Sequence, residues 1–193
     1  MVVVEKQIVS AEEYLTAERQ ALEKSEFLDG EIIPMAGATR NHNRVKENLA
    51  ILVGASIDNT TCQSFSSDMR VHLPESGLYA YPDIVIVCGE PQLMPDQFDN
   101  LLNPTVLLEV MSEGTEDYDR GRKFHRYRGI PSLREYVLID SLRVGVEVWV
   151  KNVQGQWTLV EETTDPAGQF TIQSIGLTVT LRQAYARTVE LIP

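Results

Sequence analysis

Two acids in this 193-residue chain stand where acids are costly. Glu109 lies inside the run NPTVLLEVM, among Thr105, Val106, Leu107, Leu108 and Val110, and Asp83 opens the apolar run at residues 84–88. A carboxylate in such surroundings must be paired, protonated or bound to a cation, because an ionised oxygen without a partner is expensive to take out of water. Side chains alternate along a strand, so Asp83, Val85 and Val87 share one face, as do Thr105, Leu107, Glu109 and Met111. If the two strands are neighbours, the acids meet and can hold a hard divalent cation such as Mg²⁺, with the Val110 carbonyl as a further oxygen. The residue types alone leave a structural alternative open. Asp83 then caps a turn after Pro82, and Glu109 pairs with a buried arginine.

A third group follows on a helix. Asp119, Lys123 and Tyr127 are spaced i, i+4 and i+8, which puts them on one face. Directed at the acids, the Lys123 ammonium would orient or activate a water, or stabilise a pentacovalent phosphorane. Directed outward, it forms with Asp119 a surface ion pair worth roughly a few tenths of a kcal/mol. Arg120, Arg122, Lys123, Arg126, Arg128 and Arg134 occur with no acid among them, although the whole chain carries a net charge of −11. The acidic total argues against a protein that coats nucleic acid, where affinity rests on Lys and Arg at phosphates. A local basic segment beside buried acids is compatible with a phosphate-containing substrate; a solvated helix face gives the same pattern.

The surrounding elements can be placed in order. SAEE at residues 10–13 has the form of a capping box and opens a helix to about residue 24. Asp29-Gly30, between apolar stretches at 26–28 and 31–35, signals a type I′ hairpin. A helix is expected over 41–58, with Val45, Leu49 and Leu52 on one stripe and His42 in its first turn. Residues 65–73 read as a strand with Asp68 near its start, and residues 89–103 as an exposed excursion. Gly129 and Pro131 stop the helix that carries Lys123, and residues 136–139 form the next apolar strand. Continuously apolar strands indicate a sheet covered on both faces. Beyond Asp140, residues 146–150 and 156–160 flank a hairpin turn, 170–172 and 177–181 read as strands, and 182–188 as a closing helix.

The length fits one domain with a full core, and 43% hydrophobic and 23% charged residues describe an ordinary globular chain. Cys62 and Cys88 belong to no CxxC pair, so neither a disulfide framework nor a zinc site is expected. The N-terminal run MVVVEKQIVS is too short for a signal peptide, and no run approaches the roughly 18 apolar residues of a membrane span. A soluble, cytoplasmic protein without a membrane partner is the expectation.

Pro82-Asp83 followed by Glu109-Val110-Met111 resembles the PD-(D/E)XK nuclease superfamily. The longer set is similar to the Uma-type restriction endonuclease family: SEFLDGEII at 25–33, SDMRV at 67–71, YPDIVIVC, NPTVLLEVMS, DRGRKFHRY at 119–127 and SLREYVLID, in order across about residues 10–140. The resemblance implies an α/β, restriction-endonuclease-like core with a mixed central β-sheet flanked by helices. Its metal site would lie at the strand ends. Residues 1–140 would form this core and 141–193 a β-rich extension within the same single domain, 1–193.

Transferred residue by residue, the resemblance makes Asp83 and Glu109 ligands, with Val110, of Mg²⁺ or Mn²⁺. The superfamily lysine belongs two residues after the acid, where this chain has Met111, so Lys123 from the following helix is the substitute. His42 and Glu26 fall in matching segments at the site edge, and Arg120, Arg122 and Arg126 would hold flanking phosphates. The implied activity is endonucleolytic hydrolysis of nucleic acid, DNA before RNA; apart from the resemblance, an isologous two-fold homodimer is the default oligomer. The rival is a catalytically degenerate nuclease-fold binding or assembly module, favoured by Met111 and the acidic balance. Glycoside hydrolysis is disfavoured, since both tryptophans, Trp149 and Trp157, lie in the C-terminal hairpin, far in sequence from the acids.

Overall fold

The structure, a computed structural model, describes residues 9–35, 37–95 and 99–191. The N-terminal run 1–8 considered above, and residues 96–98 of the expected excursion, lie outside the described residues. In chain order the elements are α1 (Ala11–Glu18), β1 (Ser25–Leu28), β2 (Glu31–Pro34), α2 (Arg40–Ile57), β3 (Cys62–Ser66), β4 (Val71–Leu73), β5 (Leu78–Ala80), β6 (Ile84–Cys88) and β7 (Val106–Met111). A helical segment of three successive turns follows: α over Glu116–Tyr118, π over Asp119–Lys123 and α over Phe124–Tyr127. Then come β8 (Glu135–Asp140), β9 (Val146–Lys151), β10 (Trp157–Thr163), β11 (Gln169–Ile172), β12 (Leu177–Thr180) and a last turn of helix, Leu181–Ala184.

A six-stranded sheet in the order β10-β9-β8-β7-β6-β3 is the frame. Its β7–β8 pair is parallel and the other four pairs are antiparallel, so the sheet is mixed. Alternation divides its side chains between two cores. Ile84, Ile86, Val106, Leu108, Val110, Val137 and Ile139 face Val45, Leu49 and Val53 of α2, together with Phe170 and Val179 of the β11–β12 hairpin. Val85, Val87, Leu107, Met111, Tyr136 and Leu138 face Phe124 and Tyr127 of the helical segment, and Leu28, Val71 and Leu78 of a second sheet ordered β2-β1-β5-β4. The fold is therefore the mixed α/β architecture expected, with helices on both faces and C-terminal strands β9 and β10 extending the main sheet.

Local chemistry accounts for the element ends. Ser10 and Glu13 complete the capping box of α1, and Thr39 caps α2 by accepting from the His42 N–H. Asp29 and Gly30 both have positive φ, 52° and 84°, as a type I′ turn requires. α1 ends earlier than residue 24 because the Glu18 carboxylate accepts from the Ser25 N–H and Oγ and fixes the chain's entry into β1. The single strand expected over 65–73 is two strands in different sheets. The chain turns at residues 67–70, where the Ser67 N–H donates to the Asp83 carbonyl.

The expectation that the two cysteines stay unpaired is also corrected. Cys62 and Cys88 are directly opposite in the antiparallel β3–β6 pair and form a disulfide. No local motif announces a pairing created by strand register. Among the described residues, no helix is long and apolar enough to cross a membrane.

Leu49 is completely buried where α2 meets the main sheet. Leu49→Ala should cost about 2–5 kcal/mol in urea unfolding. A loss below about 0.5 kcal/mol, the level of an ordinary surface substitution, would contradict this packing.

Candidate active site

Strand register brings the two acids together. β6 and β7 pair antiparallel with Ile84 opposite Leu108 and Val85 opposite Leu107, so the next step places Asp83 opposite Glu109 at the end of the sheet. Asp83 is fixed through one oxygen: Oδ2 accepts from the Val110 N–H at 2.9 Å and lies 3.2 Å from His42 Nε2. His42 reaches it from the first turn of α2. Its Nδ1 is buried without a hydrogen-bond partner among the described residues.

Glu109 is 4% exposed and meets the helical segment that crosses over its strand. Lys123, also 4% exposed, places Nζ 2.8 Å from Glu109 Oε1, 2.9 Å from Glu26 Oε1 and 3.6 Å from Asp119 Oδ1. The Tyr127 hydroxyl donates to the same Glu109 oxygen at 3.2 Å. Glu26, on β1, accepts from the Tyr81 N–H at 2.9 Å, which ties β1 to the short link between β5 and β6 that carries Asp83. The Tyr118 and Tyr127 rings lie 5.8 and 6.0 Å from the ammonium. Lys123 and Asp119 end a π turn, a widening that recurs at functional sites, and it runs through Gly121.

Three carboxylates, Glu26, Glu109 and Asp119, thus surround one ammonium, and Asp83 stands opposite Glu109 on the neighbouring strand. Burial raises the Glu109 pKa well above the usual carboxylate range. Lys123 opposes that shift, and Asp119, Asp83 and Glu26 add to it. Asp119 is raised for the same leading reason. Burial disfavours the Lys123 charge, yet Glu109, Glu26, Tyr127 and Asp119 outweigh it and hold the lysine well above its ordinary value. One cause underlies both directions: a single cation serves an excess of buried negative charge, so the cluster retains protons on both kinds of group.

The remaining candidates are placed differently. Met111, at the superfamily lysine position, is 2% exposed in the apolar core. Arg120 pairs with Glu116 and Glu147, Arg122 with Glu31 at 3.2 Å, and Arg126 with Asp29. The segment lacks acids in sequence, but the β1–β2 hairpin and β9 bring acids to it. Glu26, expected at the edge, touches the central lysine. Asp119 and Tyr127 carried a shared-face signal without an assigned role, and Tyr118 carried none.

The fold and site define an α/β protein with a mixed sheet and a carboxylate–lysine cluster at its strand ends. Residues 11–182 match the family described as "Uma2: Putative restriction endonuclease", and the chain belongs to that family. Two proteins of Synechocystis sp. (strain ATCC 27184 / PCC 6803 / Kazusa) are similar. "Uncharacterized protein sll1609" is 44% identical over 161 residues, covering 83% of this chain and 91% of that protein. "Uncharacterized protein slr1290" is 32% identical over 177 residues, covering 92% and 91%. A crystal structure described as a "putative nuclease belonging to DUF820 from Anabaena variabilis ATCC 29413" superposes with a TM-score of 0.73 at 14% identity, over 92% of this chain and 98% of that one. At that identity the likeness carries the fold.

Lys123→Met leaves Glu26, Glu109 and Asp119 buried without their cation, and should destabilise the protein by about 3–5 kcal/mol in denaturant titration. A cost under about 1 kcal/mol, the range of an exposed pair, would contradict the charge balance described. The pH dependence has a defined sign. Glu109 has a folded pKa above its ordinary value of 4.5, so its contribution to stability is full below that value and is lost as pH rises through the folded pKa. Without divalent cations, the thermal midpoint of Glu109→Gln should therefore gain on wild type as pH rises above 4.5. A constant difference across that range would refute the shift.

Proposed function

We propose that this protein is a metal-dependent nuclease that hydrolyses phosphodiester bonds of nucleic acid, with DNA the first substrate class to test. One observation carries the reading: the Lys123 ammonium lies 2.8 Å from Glu109, and Asp83 stands opposite Glu109 across β6 and β7. Membership of the family described as "Uma2: Putative restriction endonuclease" supports it.

The donor set fits a hard cation. The Asp83 contacts described above fall on Oδ2 and those of Glu109 on Oε1, which leaves the second oxygen of each carboxylate to ligate. Among the described residues, no three His, Cys, Asp or Glu side chains are grouped to hold an ion. Two carboxylates and the Val110 carbonyl suit Mg²⁺ or Mn²⁺, which keep several waters of their own. When bound, the ion supplies Lewis acidity toward a phosphate oxygen and makes hydroxide available at neutral pH.

The chain's own residues do the rest. The Val110 N–H and His42 hold Asp83 in one orientation, as partners of a ligating carboxylate commonly do. Lys123 orients the attacking water and stabilises charge that develops on the phosphate. Glu26 and Asp119 keep Lys123 protonated and aimed, and Tyr127 steadies Glu109. Arg120, Arg122 and Arg126 would have to exchange carboxylate for phosphate before gripping a strand. A second reading, a nuclease-fold binding or assembly module, is favoured by one observation: the lysine position is Met111, and Lys123 is already engaged by carboxylates.

Cleavage of mixed DNA and RNA with Mg²⁺, Mn²⁺ or EDTA separates the two. Asp83→Ala and Glu109→Ala should each lower metal-dependent cleavage on the order of a hundredfold or more, and Lys123→Ala comparably. Cleavage that survives Lys123→Ala but not the acid variants would overturn the role given to the lysine. A wild type that neither cleaves nor takes up metal in calorimetry would favour the binding module.

A further inference from the structure

Resting on the nuclease reading, we propose that Lys46 and Ser67 form a phosphate-binding subsite that grips the substrate strand beside the scissile phosphate. Lys46 is on α2, four residues and therefore about 6 Å of helix beyond His42, on the same face. His42 touches the Asp83 carboxylate. Ser67 is joined to Asp83 independently, since its N–H donates to the Asp83 carbonyl at 3.0 Å. The Lys46 ammonium and the Ser67 hydroxyl meet at 2.9 Å. Two separate connections therefore anchor this pair beside the first of the candidate metal ligands.

The partner of Lys46 distinguishes it from the arginines on the opposite side. Arg120, Arg122 and Arg126 are each matched by carboxylates. Among the described residues, Lys46 meets only the neutral Ser67 oxygen. An ammonium has three donors, and a hydroxyl that accepts from one of them still has its own hydrogen to give. Lys46 and Ser67 thus offer several donors and no negative charge, which is the chemistry of an oxyanion site. Such a site is needed here, because the acid cluster repels a polyanionic strand. A cation beside Asp83 offsets that repulsion without joining the cluster.

Binding of a short fluorescein-labelled DNA duplex, followed by anisotropy over a salt series with Ca²⁺ in place of Mg²⁺, tests the subsite apart from turnover. Lys46→Gln should weaken binding on the order of tenfold and reduce the salt slope by about one unit. Lys46→Arg should restore most of the affinity, and Ser67→Ala should weaken it less than Lys46→Gln. The thermal midpoint of each variant, expected to match wild type, serves as the folding control. If wild type binds and cleaves while Lys46→Gln matches its affinity and slope, the subsite is wrong and the nuclease reading stands. If wild type neither binds nor cleaves, both fall together.

Discussion

One buried ammonium joins three distant parts of this chain. Lys123 is held by Glu26 of β1, by Glu109 of β7 and by Asp119 one turn earlier on its own helical segment. Carboxylates at 3–4% exposure are costly to bury without a cation, and a buried ammonium is costly without them. The small sheet, the main sheet and the segment that crosses between β7 and β8 are thereby fixed to each other by charge as well as by apolar packing. Replacing the group by well-packed apolar side chains would be about as stable.

Lys123 and Met111 approach Glu109 from different elements. A lysine at that position would lie on the same strand face as Glu109, two residues along. Here that place is filled by apolar side chain in the core beneath the helical segment. The π turn over Asp119–Lys123 sits directly above and delivers an ammonium to Glu109 from the helix side. Burial in the core and charge at the acid are divided between two residues. The helix position brings a consequence, in that Lys123 is also within reach of Glu26, which a strand lysine need not be.

Much of this was legible in the sequence where the signal is local. Strand alternation predicts the shared faces of Asp83 and Glu109, and i, i+4, i+8 spacing predicts the common face of Asp119, Lys123 and Tyr127. The Asp29-Gly30 turn, the Ser10 cap and the C-terminal hairpins follow from turn and cap chemistry. What could not be read depends on which segments become neighbours. The Cys62–Cys88 disulfide exists because β3 pairs with β6 in one register. Glu26 moves from edge to centre because β1 brings its carboxylate to 2.9 Å from the Lys123 ammonium. The basic run loses its apparent freedom because β2 and β9 present Glu31 and Glu147 to it. Each is a long-range pairing that charge and hydropathy patterns leave undetermined.

The most direct test of the account is the position of a divalent ion. Crystals grown or soaked with Mn²⁺ can be examined by its anomalous scattering. One strong peak is expected at roughly 2.0–2.2 Å from oxygens of Asp83, Glu109 and the Val110 carbonyl, the contact length of a small hard cation. Lys123 should remain beside Glu26 and Asp119. Full Mn²⁺ occupancy elsewhere, with Asp83 and Glu109 free of metal and their contacts unchanged, would contradict it.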